Sequence, residues 1–538
     1  MNNKRLTRRE FLIALAGVSA GVGLAACAPL ASPVTQVPAT QVPGTQMPPA
    51  QATAIRVPAT ATVVARKRGG TLIYGTTFAM QNTAPYPRSG NSAPMRATLF
   101  NYLVGVDDKR RPAPELTESW TLSQDRLTET FKLKQGVKFH SGREFTADDA
   151  KWNIEYAQDP KSLAQAGTQL AGIKVVAKDK YTLELNYPNP VPQIYSLLLD
   201  VPIIDPQSDI SKAVGGTGPF KFDSLKPGDE FRMVRNEQYW QPGKPLLDAV
   251  VVKIIPDQSS LLVNLESCAV HVMPGVPLNQ VKRIQSGAET TAQVYSGPGC
   301  LNYLVNCADA PFNDKRVRQA MSLAVDRQRF SDTQLYGLTP PTYIVWPRIS
   351  PIWDASLDTG EFNLDKAKAL LESAGLGKGF ETTIHVSSPV PEISTFTQVF
   401  QADLAKIGVK ANIVMVEANE WLALIAGSKF PGMLAHSYAG ANLDPAMLFS
   451  THPFNPERNA PRFQSDQYKQ VVVAAQKEPD FDKRISMYRD ITKLIKDECS
   501  ILPLTARVDS FGARKSVQGF RMAILVDPAP DFSDASLS

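Results

Sequence analysis

Cysteine and histidine are scarce, five of each in 538 residues. No C-x-x-C pair occurs, and His140, His271, His385, His436 and His452 show no metal-ligand spacing. Neither a disulfide-built nor a zinc-built scaffold is expected, and the histidines read as surface or satisfied core residues. H-E-x-x-H and G-x-x-x-x-G-K-[ST] are absent, and G-x-S-x-G occurs only as Gly17–Gly21, inside an apolar N-terminal stretch rather than at a strand-to-helix turn. Without a nucleophile elbow, a zincin helix or a phosphate loop, no catalytic residue, metal or cofactor is expected, although a catalytic carboxylate pair would leave no such signature. Charge of one sign is lacking too. Lys+Arg is 57 and Asp+Glu 52, a net +5 with no long basic run, which argues against a nucleic-acid partner. What is present is 43% hydrophobic residues, enough for several cores, and 42 prolines, many near the N-terminus.

Much of the basic excess sits at that N-terminus. Residues 1–26 hold Lys4, Arg5, Arg8 and Arg9 against Glu10, leaving 53 basic and 51 acidic residues, or +2, in the rest. The uncharged stretch Phe11–Ala26 is 16 residues long, short of the ~20 needed to span a bilayer, and reads as a signal peptide. It ends in Leu24-Ala25-Ala26-Cys27, which resembles the lipobox of bacterial lipoproteins, with Cys27 as the lipidated first mature residue. Arg8 and Arg9 in Thr7-Arg8-Arg9-Glu10-Phe11-Leu12 resemble the twin-arginine export motif. Ala14 stands where that motif carries Lys, so the general secretory route stays open. Residues 27–68 then contain no acid, seven prolines and three successive units, Thr35–Ala39, Thr40–Gly44 and Thr45–Pro49. Such a segment cannot bury enough to offset its ordering entropy and is expected to tether an extracytoplasmic body to the cell membrane.

The body from Gly69 onward alternates strand and helix patterns. Thr71–Gly75 and Thr130–Lys134 have strand character. Thr146-Ala-Asp-Asp149 reads as a capping box, with Phe145 stapled onto Ala150 and a core face of Ala147, Ala150, Ile154 and Ala157. After Asp314, Val317, Ala320, Met321 and Ala324 form a buried stripe, while Lys315, Arg316 and Arg318 are expected to face away. Asn363 opens another helix closed at Gly375. Thr382–Ser388, Ile393–Ile407 and Val409–Glu417 make a βαβ unit, implying parallel pairing. A helix through Ile485, Tyr488 and Ile491 and a strand from Ile501 to Val508 close the chain. The class is α/β with more than one lobe.

Several segments resemble the family 5 solute-binding proteins of ABC importers, the oligopeptide, dipeptide and nickel-binding group. They are Thr130–Ala150, with Gly136, His140, Gly142 and Asp149 in place; Gly215-Gly-Thr-Gly218-Pro219-Phe220; Arg235-Asn236-Glu-Gln-Tyr239-Trp240; Val317–Arg327; and Asn363–Gly375. Ser141 stands where the pattern has Asp. The resemblance spans residues 69–520. It implies a periplasmic-binding-protein-like α/β fold, two lobes joined by a hinge around a cleft, with an extra inserted domain. Residues 69–95, 205–305 and 500–538 would form lobe I, 96–204 the insertion and 306–499 lobe II. It implies a monomer that captures a small solute, peptide or oligosaccharide, and delivers it to an ABC permease with a cytoplasmic ATPase; the alternative is an exported hydrolase on the same scaffold.

Ligand contacts are expected from Asn82 and Tyr86 after the first strand, and from Tyr303 and Asn306 where the chain crosses into lobe II. Trp346, Trp421 and Tyr438 offer aromatic walls. Asn442-Leu443-Asp444-Pro445 resembles a family segment whose first acid pairs with a peptide amino terminus. Ala441 occupies that acid's place, so Asp444 or Glu420 is the candidate substitute, and a sugar, opine or other polar solute is a rival to a peptide. Cys300 and Cys307 are close enough in sequence to pair as a disulfide, one of three pairings open to the four remaining cysteines.

Overall fold

The computed structural model describes residues 66–78, 85–86, 92–209, 215–387, 391–438, 444–450, 454–524 and 528–538. Arg8, Arg9, Cys27, Asn82, Ala441 and Asn442 lie outside them.

The capping box is present: Asp149 Oδ2 accepts from Thr146 N at 2.8 Å, starting helix α1 (Ala147–Gln158). Its predicted face is buried, and it packs on a four-stranded antiparallel sheet. Those strands are β2 (Thr117–Leu122), β3 (Thr128–Leu133), β4 (Lys174–Asp179) and β5 (Thr182–Asn186), in the order β2-β3-β5-β4. Residues 103–203 thereby enclose a core of their own, with Phe131, Phe139, Phe145 and Leu183 fully shielded.

The other sheet has ten strands. They are β1 (Thr71–Thr76), β6 (Phe220–Lys226), β7 (Glu230–Arg235), β8 (Ala249–Ile254), β9 (Val272–Pro274), β10 (Thr290–Val305), β11 (Phe380–Ser387), β12 (Val409–Val416), β13 (Met433–Tyr438) and β14 (Ile501–Arg514). Their order is β12-β11-β13-β10-β14-β9-β1-β8-β7-β6. Two long antiparallel strands, β10 and β14, run through both halves. Residues 290–296 pair with 508–514 on the β1 side, and 300–304 pair with 501–506 on the β13 side. Between them the register breaks at Gly297-Pro298-Gly299. A side chain at 297 would come within 2.6 Å of Asp509 Oδ2, so glycine permits the strands' close approach there.

The βαβ unit forms as expected. Helix α4 (Pro391–Ala405) connects β11 to β12, which pair in parallel from Phe380–Val409 to Ser387–Val416. Both faces of this half-sheet are covered. Leu301, Tyr303, Val305, Met433 and Ala435 face a core shared with α2 (Lys315–Ala324) and α4. Cys300, Leu304, Leu434 and Tyr438 face another, lined by α6 (Asp466–Lys477) and α7 (Phe481–Glu498). Helix α3 (Leu364–Ser373) starts at Asn363, whose side chain accepts from Lys366 N at 2.9 Å, and Gly375 takes φ +78° after it.

Two expectations are corrected. Arg318 does not face away. It is buried, donating to Phe312 O at 2.8 Å, to Glu498 O at 2.8 Å and to the Glu498 carboxylate at 2.9 Å, so its charge meets the carbonyl end of α7. Cys300 and Cys307 do not pair. All four described cysteines are free, and the extended chain holds these two roughly 15 Å or more apart at about 3.3 Å per residue.

Candidate ligand-binding site

Two of the sequence signatures interlock and belong to the frame of the molecule. His140 Nδ1 accepts from Gly216 N at 3.2 Å, which places the ring hydrogen on Nε2, where it donates to Gly218 O at 3.1 Å. Burial pushes this imidazole down to about 4. A Cβ at Gly218 would lie 2.4 Å from Leu99 C, so glycine is required where the loop crosses the end of the short helix Ala93–Leu99. Ser141 donates to Asp205 at 2.7 Å, and Arg143 reaches the other oxygen of the same carboxylate at 2.7 Å.

Most of the predicted aromatic wall is brought together on one face of β10 and β13. Trp346 stacks on Phe454 at 5.2 Å and meets Tyr438 edge-on at 6.4 Å, while its indole donates to Thr492 at 2.7 Å. Trp346 is wholly buried and forms the back of the cluster. Tyr438 lies over His436 at 6.1 Å, and His436 stacks on Trp421 at 5.5 Å with an interplanar angle of 11°. Helix α5 (Ala418–Gly427) presents the half-buried Trp421, whose indole donates to Ala435 O at 3.0 Å. His436 and its cross-strand partner Asn302 were not singled out from the sequence as site residues. Their signal is polarity that interrupts apolar strands at the same face and register as Tyr438 and Cys300. Burial holds the His436 imidazole neutral, down to about 4.

Other expected contacts are consumed by packing. Tyr303, one residue along from Asn302, points to the opposite face by strand alternation. It is fully buried, stacked on Phe400 at 3.9 Å, with its hydroxyl donating to Thr397. Asn306 shapes the turn after β10, donating to Phe430 O at 2.7 Å and Asp309 at 2.8 Å. Tyr86 is buried against Arg96, its hydroxyl donating to Asp200 O at 3.2 Å. Asp444 is no free partner for an amine. Its Oδ2 accepts from Arg484 at 2.5 and 2.9 Å, its Oδ1 accepts from Ala446 N, and both side chains are buried. Glu420 is exposed at the start of α5.

Arg484 also reaches Pro192 O at 3.3 Å, and Arg111 pairs with Asp482 at 2.7 Å. Both contacts join the region of residues 103–203 to the start of α7. The candidate site is thus a largely buried aromatic cluster beside the register break between β10 and β14. Among the described residues no cluster of metal-ligating side chains accompanies it.

The fold is that of the periplasmic binding proteins. A Helicobacter pylori periplasmic binding protein solved in complex with the peptide STSA shares 23% identity and a TM-score of 0.68, covering 88% of this chain and 98% of its own. The A. tumefaciens R10 binding protein AgaA, solved with agropinic acid, shares 24% identity and a TM-score of 0.67, covering 87% and 99%. The chain belongs to the bacterial extracellular solute-binding proteins, family 5, whose model matches residues 111–458. Among curated relatives, the Pseudomonas aeruginosa dipeptide-binding protein is 28% identical over 470 residues, 79% of this chain and 87% of that protein.

Proposed function

We propose that this protein captures a peptide-like solute between its lobes and delivers it, unaltered, to the permease of an ABC importer. The observation that carries the reading is the family match through residues 111–458, supported by a dipeptide-binding relative that spans most of the chain. Ligand touching both lobes favours the closed form, because only that form makes both sets of contacts. The proposal includes lobe I (69–95, 205–305, 500–538), the insertion (96–204), lobe II (306–499) and a monomeric body. Cys27 carries the lipid after export directed by the segment containing Arg8 and Arg9, and the proline-rich tether holds the body near its permease.

A second reading, capture of an oligosaccharide or another non-peptide solute, draws support from Asp444. Its carboxylate is occupied by Arg484 and is not available to a peptide amino terminus. A thermal-shift screen against peptides of two to five residues and against oligosaccharides separates the two. Ligand at about 100 times its Kd stabilises the folded state by about 2.7 kcal/mol. A shift with peptides alone supports the first reading, and a shift with sugars alone replaces it.

A further inference from the structure

Three polar side chains lie together on one face of β10 and β13 with hydrogen-bonding capacity unspent. Asn302 is fully buried. Its Nδ2 donates to Cys300 O at 3.2 Å, but its Oδ1 has no protein partner. His436 stands directly across the strand pair, 6% exposed, and its Nδ1 is buried without a partner. Tyr438, 8% exposed, follows on the same face. Its hydroxyl lies beside the Cys300 thiol and bonds to no nitrogen or oxygen among the described residues. Buried polar atoms are nearly always paired, because leaving one unpaired forfeits its hydration. Here three such side chains lie on one face of adjacent strands.

The geometry limits what can satisfy them. Trp421 and Tyr438 both stack with the His436 ring, and a hydrogen-bonding partner meets its nitrogens in the ring plane, by the edge. Among the described residues Asp444 is paired with Arg484, and Asp358 with Arg348, Tyr343 N and the Trp353 indole; the buried Arg327 donates to backbone carbonyls, and Glu420 beside Trp421 is exposed. The three side chains carry no charge to meet an ionised ligand group, and an apolar group would leave their polar atoms unmatched.

We propose that Asn302, His436 and Tyr438 form an uncharged recognition subsite that takes a neutral side-chain amide or hydroxyl of the captured solute. The subsite rests on the binding-protein reading for its use, and its presence can be judged separately. The full chain is compared with His436→Phe and Asn302→Leu by calorimetric titration with Ala-Gln, Gln-Ala and their near-isosteric Glu and Met counterparts. The parent is expected to bind at least one Gln dipeptide tenfold or more tightly than both counterparts, and each variant is expected to shrink that preference below threefold. A preference that is absent in the parent, or unchanged in both variants, overturns the subsite.

Ligand-free melting supplies the separate arm. Removing unsatisfied polar atoms leaves the melting temperature equal or higher in both variants. A fall in both shows that these side chains serve the fold and overturns the subsite. If no dipeptide binds the parent at all, the peptide reading fails while the melting arm still decides the subsite.

Discussion

The buried pair of Asp444 and Arg484 gives the sharpest single perturbation. Arg484 is 1% exposed, and its guanidinium bonds Asp444 twice, Glu478 O at 2.6 Å and Pro192 O at 3.3 Å. Asp444→Ala removes the only carboxylate with which Arg484 pairs among the described residues and strands a cation in the core. Breaking a buried pair from one side costs about 3–5 kcal/mol, whereas replacing both partners with apolar residues of similar volume is often neutral. Asp444→Ala is therefore expected to lower the urea midpoint strongly, and Asp444→Leu with Arg484→Met to recover most of the loss. Tryptophan fluorescence is a suitable probe because Trp346 lies in the same core. A loss below about 1 kcal/mol in the single variant, or a double variant no better than the single, would refute the reasoning.

Other outcomes follow from the same geometry. Arg111→Ala is expected to change stability by less than about 1 kcal/mol, because the Arg111–Asp482 pair is 49% and 65% exposed; a urea titration checks it. Gly218→Ala would press a methyl into the Leu99 backbone and is expected to cost about 2 kcal/mol or more in the same assay. Tyr303→Phe loses one hydroxyl bond, worth about 1 kcal/mol, and should leave ligand affinity within twofold, since that ring is packed on the face opposite Asn302. Acid should weaken the protein through His140 and His436. Their folded values lie near 4, below the unfolded value, so the unfolded chain takes up the protons first. Stability should fall as pH drops from about 6.5 toward 4, by at most about 1.4 kcal/mol per pH unit for each imidazole. His436→Phe should flatten the slope measured by urea midpoints across that range.

Local features were legible in the sequence. The capping box at Thr146, the Asn363 cap and the β11–α4–β12 unit are specified by neighbours within a few turns, and they form where expected. The long strands were not. Ile501–Val508 reads as a short strand, yet β14 continues to Arg514 because β10 and β9 pair with its second half. The site was legible in part for the same reason. Alternation along 301–306 separates Tyr303 from Asn302, but helices cover both faces of this half-sheet, so apolarity does not tell core from cleft. Trp346, Trp421 and Tyr438 were named as candidates by residue type, whereas the place of His436 beside them becomes visible only when its register with Asn302 is known. Arg318 looks like a surface charge on a helical wheel, and only the tertiary fold supplies the carbonyls and the carboxylate that bury it.

Calorimetric titration of the full chain with short peptides, followed by mass analysis of the released ligand, tests the central claim most directly. The account predicts saturable binding of one peptide per chain and recovery of that peptide intact. Cleaved peptide in the eluate, or no saturable heat with any peptide of two to five residues, would contradict it.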